Sequence, residues 1–125
     1  MSSDYKLGLM YLVHLLIGVD GQIDQLEKAA LEQIRQSEAV DDAIYSKFES
    51  DVISRKEREI YQQGIYHISN CTDEERLRAF AILYRLSEAD GRIHVKEVRL
   101  LLYSIKMSGV EFDDVVKAAE KINVF

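Results

Sequence analysis

The chain has 125 residues, enough for one domain with a core of its own. Its 47% hydrophobic and 30% charged residues match an ordinary globular protein, and the balance of 22 acidic to 16 basic residues gives a formal charge of −6. That balance argues against a nucleic-acid partner, because phosphate backbones are held by clustered Lys and Arg. Cys71 is the only cysteine, so no internal disulfide can form, and the expected compartment is the cytoplasm.

The first predicted element is the apolar run "LGLMYLVHLLIGV", Leu7 to Val19. It resembles the core of a signal peptide. However, Asp4 offsets Lys6 before it, no small-x-small cleavage site follows, and spanning a bilayer takes about 20 apolar residues. The expectation is therefore a buried central helix over Tyr5–Val19, not a membrane span, with His14 as a satisfied core histidine. Gly21 is placed to end it. Asp24 with Glu27 three residues on reads as a capping box that opens a second helix running to about Glu38. A third helix, from Asp41 to about Val52, carries Ile44, Tyr45 and Phe48. Ser54 with Glu57 and Thr72 with Glu75 repeat the capping pattern and predict helices from about 55 and 73. In the former, the charged run "SRKEREIYQQ" is a solvated face. The latter carries "AFAILY", Ala79 to Tyr84, apolar on most faces, and stops at Gly91. Val95–Met107 and Glu111 to about Ile122 complete the series, with Gly109 between them. No proline interrupts the chain and no stretch alternates apolar with polar residues for long, so no strand is expected. The predicted fold class is all-α, a single domain over residues 1–125 with about seven helices. The seven tyrosines are assigned to the core and to helix seams, and the Cys71 thiol is taken as unreactive.

Self-comparison shows an internal repeat. At an offset of 70, Leu16, Asp20, Gly21, Ile23, Glu27 and Leu31 meet Leu86, Asp90, Gly91, Ile93, Glu97 and Leu101 without a gap. Two helical units, at about 5–50 and 73–122, are thus expected around a pseudo-twofold axis, with Leu16 and Leu86 buried. "GVDGQIDQLE" and "EADGRIHVKE" are the turns of the two copies. They match the second half of a calcium-binding EF-hand loop, but Leu16 and Gly18 stand where its first ligands belong, so these are not EF-hands. Helix capping accounts for the first copy without any ligand. It accounts less well for the second, where His94 replaces Asp24 while Asp90 and Glu97 remain. Metal binding and pure capping are both left open by the residues.

The two stretches "GVDGQIDQLEKAALEQI" and "EADGRIHVKEVRLLLYSI" resemble the pattern of the tellurite-resistance TerB-like domains over essentially the whole chain. In that family an apolar helix ends in Ala-Asp-Gly, followed by Ile and an acid that opens the next helix. The resemblance implies a helical domain with pseudo-twofold repeats. It also implies carboxylates at the two Asp-Gly turns that bind divalent metal in a bacterial stress response. Carried over by position, the candidate ligands are Asp20, Asp24 and Glu27 in the first copy and Asp90, His94 and Glu97 in the second. Two departures stand out: Val19 replaces the usual Ala, and Arg85, Arg92, Lys96 and Arg99 surround the second turn. Oxygen donors suit Mg, Ca or Mn, and an added imidazole shifts the preference toward Zn or nickel. No Ser elbow, His-Glu-x-x-His or Gly-rich phosphate loop is present, so the expected function is non-catalytic, with no organic cofactor. The alternative is a protein-interaction or co-chaperone-type module without metal; a protein partner is expected in either case.

Overall fold

The computed structural model describes residues 1–18, 22–105 and 110–125. Seven α-helices occupy these residues: α1 (Ser3–Ile17), α2 (Gln25–Glu38), α3 (Asp42–Ser54), α4 (Glu57–Ser69), α5 (Asp73–Ala89), α6 (Val95–Ser104) and α7 (Phe112–Ala119). Among the described residues there is no β-strand, only an isolated bridge position at Gln22.

Local chemistry fixes most of the helix starts. Asp24 and Asp41 each accept a hydrogen bond from the backbone N–H three residues on, and Thr72 and Glu75 close a full capping box. Ser2 caps α1, and its own N–H donates to the Glu75 carboxylate at 2.7 Å, which ties the start of α1 to the start of α5. The expected box at Ser54 does not form. Ser54 is the last residue of α3, its hydroxyl donating to the Ser50 carbonyl, and α4 starts two residues later than expected. There Glu59 accepts from the Lys56 N–H at 3.1 Å. A hydroxyl that bonds back to its own helix is not available to cap the next one. At the far end, α6 stops at Ser104, short of the predicted Met107; Lys106 to Gly109 lie outside the described residues, as do Val19, Asp20 and Gly21.

One apolar cluster unites the described helices, with α1 at its centre. Helix α4 lies along α1, α2 and α3 pack on α1 from other sides, and α5 meets α1 while carrying α6 and α7. Helices α1 and α5 are therefore in contact, and each carries its own two followers. Leu86 is buried as expected, but Leu16 is only half-buried, because α6 packs on α5 and leaves the last turn of α1 partly uncovered. Tyr5 and Tyr11 are in the core and Tyr45 and Tyr84 at seams, whereas Tyr66 and Tyr103 are largely exposed.

Several polar groups in the core take partners from other helices. The Tyr5 hydroxyl donates to Glu38 at 2.5 Å, and Arg78 of α5 donates to both oxygens of the same carboxylate at 2.8 and 2.9 Å. The Tyr11 hydroxyl donates to Asp51, which also takes Arg55 and Lys47. Burial pushes both phenols well above the usual tyrosine range, and the neighbouring carboxylates add to the effect. Burial works against the charged carboxylates as well. Hydrogen bonds from Arg78, Ser37 and Tyr5 outweigh it at Glu38, and those from Tyr11, Arg55 and Lys47, with the Lys47 charge, do so at Asp51. Both acids end below their ordinary values. Burial raises the Cys71 thiol to about 11, with the Glu75 charge second, so the thiol is protonated at neutral pH.

Candidate functional site

The first Asp-Gly turn leaves α1 through Gly18, whose extended backbone donates to the His14 carbonyl at 2.7 Å. A Cβ at Gly18 would sit 2.2 Å from His14 Nδ1 and 2.6 Å from its carbonyl oxygen, so only glycine fits beside that ring. Asp20 and Gly21, the acid and glycine of the motif, lie outside the described residues. Asp24 follows as the N-cap of α2, its Oδ1 accepting from the Glu27 N–H at 2.8 Å.

Glu27 does not complete a capping box. Its side chain turns inward and is fully buried, with Oε2 2.6 Å from Nδ1 of His14. The other oxygen, Oε1, is buried and has no hydrogen-bond partner among the described residues. The expectation that His14 is a satisfied core histidine thus holds, and its partner is one of the expected metal ligands. The ring also meets the edge of Phe48 at 6.1 Å.

The second turn is built on an arginine. Asp90 caps the end of α5, and its Oδ1 accepts the Arg92 backbone N–H at 2.9 Å. The Arg92 guanidinium donates to both Asp90 oxygens, nearest at 3.0 Å, and reaches Asp24 Oδ2 at 3.4 Å. Hydrogen bonding from Arg92 lowers the Asp90 carboxyl below its usual range against the pull of burial. A side chain of the second copy thereby joins both turns, and the positive charge beside Asp24 and Asp90 comes from the chain itself. His94 is the N-cap of α6, its Nδ1 accepting from the Lys96 N–H at 3.1 Å, so the residue that replaces Asp24 keeps the capping role. Glu97 is exposed.

The candidate ligands are therefore dispersed among three environments: Glu27 in the core on His14, Asp24 and Asp90 around Arg92, and His94 with Glu97 at the start of α6. Among the described residues no group of three or more His, Cys, Asp or Glu is arranged to hold a metal ion. As a set, the described candidates do not fit a divalent cation, because two of them already share a guanidinium and a third is spent on an imidazole.

Glu97 belongs instead to a groove of about 340 Å³ that sequence patterning did not single out. One lip is α6, with Glu97, Leu100 and Ser104 at successive-turn spacing; the other is the start of α4, with Glu57 and Tyr61; Leu15 and Leu16 at the end of α1 lie between. No known family model, curated protein or solved structure matches this chain.

Proposed function

We propose that this protein is a non-catalytic, TerB-like binding module that acts by holding a protein partner. The groove between α4 and α6 carries this reading. Leu100 is 67% exposed at its lip, while Leu15 and Leu16 line it only half covered. Exposed leucine in a concavity with acidic residues at its edge offers a partner an apolar centre and a charged rim. Site-specific photo-crosslinking in cells tests it. A crosslinker at position 100 should yield a discrete protein adduct, and one at Ile53, exposed on α3 outside the groove, should not. Equal labelling from both positions, or none, would sink the reading.

A divalent-metal role has one observation in its favour: Oε1 of Glu27, a buried carboxylate oxygen with no hydrogen-bond partner among the described residues. Thermal melts in magnesium, calcium, manganese and zinc against EDTA separate the two readings. A bound metal at a hundred times its dissociation constant adds about 2.7 kcal/mol of stability, and the partner reading expects no change.

A further inference from the structure

We propose that the groove between α4 and α6 receives an amphipathic helix whose apolar stripe is flanked by Lys or Arg. This rests on the partner-binding reading above and names the chemistry of the partner. Both lips are α-helices, whose main-chain groups are already bonded internally, so the groove offers side chains and no strand edge. A helix enters such a groove with its own backbone already satisfied, which suits a surface that offers side chains alone. The lining matches that form. Glu97, Leu100, Leu101 and Ser104 recur at the three- and four-residue steps of one helix face, and Glu57 and Tyr61 do the same on the opposite lip.

The charge of the partner follows from the rim. Glu57 and Glu97 are both exposed, and neither takes part in an ion pair among the described residues. The nearest arginine along α6 is committed elsewhere. Arg99 lies over the rings of Phe112 and Tyr103 at 5.2 and 5.6 Å and donates to the Tyr103 hydroxyl. The two acids are thus available to a cation from outside, and opposite charge at a rim sets partner choice and association rate. A second copy of this chain is a poor occupant, since it brings the same acidic rim and a formal charge of −6.

Fluorescence-anisotropy titration with two labelled peptides of about 18 residues, five helical turns, tests this. Both carry leucines at i, i+3, i+4 and i+7. One is flanked by lysines, the other by glutamates. The lysine peptide should bind wild type saturably, and about tenfold or more above the glutamate peptide. Glu57→Lys with Glu97→Lys should reverse that preference, and Leu100→Asp should abolish binding of both. All three positions are exposed, and unchanged circular-dichroism melts will show that the variants fold. Equal binding of the two peptides, indifference to the charge reversal, or concentration-dependent dimerisation that Leu100→Asp abolishes would each overturn the proposal. Failure here with a position-100 adduct still formed in cells removes the basic helix and leaves the partner; failure of both removes the groove as an interface.

Discussion

His14 and Glu27 illustrate how a residue's role is settled by what lies opposite. His14 sits inside an otherwise apolar helix, so burial and satisfaction could be read from the sequence, but the satisfying group could not. Glu27 has the spacing of a capping-box acid, and the same spacing places it one turn into α2 on the side facing α1. With no hydrogen-bond partner across the seam a carboxylate there would cap; with an imidazole nitrogen 2.6 Å away it goes inward. The equivalent positions 70 residues on, Tyr84 and Glu97, lack this pairing, since Tyr84 packs edge-on against Phe112 at 5.9 Å and Glu97 stays in solvent. A double-mutant cycle checks the first pair. His14→Ala and Glu27→Ala should each cost about 1–3 kcal/mol, because each strands a buried polar partner. The double variant should cost less than the sum by about 1–3 kcal/mol in urea melts.

Between elements, the seam of α1 and α4 is closed by a glycine on each side. A Cβ at Gly8 would come within 2.8 Å of the Ile68 side chain, and one at Gly64 within 2.9 Å of Leu12. These glycines sit inside helices, where they cost backbone entropy, and the cost is offset by letting the two axes come together. Gly8→Ala and Gly64→Ala should each destabilise by about 1–3 kcal/mol through overpacking, despite alanine's better helix propensity; a gain in melting temperature for either would refute the account. Helix identities were legible at this scale because apolar periodicity and N-cap residues are local. The α3–α4 boundary was not. Ser54 can cap forward or bond back to Ser50, and sequence does not say which. Nor was the groove legible, because a gap between α4 and α6 depends on how both pack on third helices.

For the whole molecule, the tyrosine–carboxylate pairs set the pH range of stability. Glu38 and Asp51 are held below ordinary values of 4.5 and 3.8, so their contribution is complete above those values and is lost as pH falls through the lower folded ones. Tyr5 and Tyr11 are held above 10.0, and Cys71 at about 11 against 9.0. Their contribution is complete below the ordinary values and is lost as pH climbs toward the folded ones. Urea unfolding across pH should therefore give a plateau between about 5 and 9, with a fall on either side. Tyr5→Phe with Tyr11→Phe should flatten the alkaline fall; an unchanged alkaline limb in that variant would contradict the assignment.

The same pairs bear on how α1 is oriented about its own axis. Burial alone fixes the azimuth of a helix that is apolar on nearly every side only loosely, since most of its faces can be buried after rotation. Tyr5, Tyr11 and His14 point to Glu38, Asp51 and Glu27, which arrive from α2 and α3. Sliding α1 by one residue turns it by about 100° and breaks all three at once. The polar side chains act as the teeth of a key: they give a greasy rod one angle at which it fits.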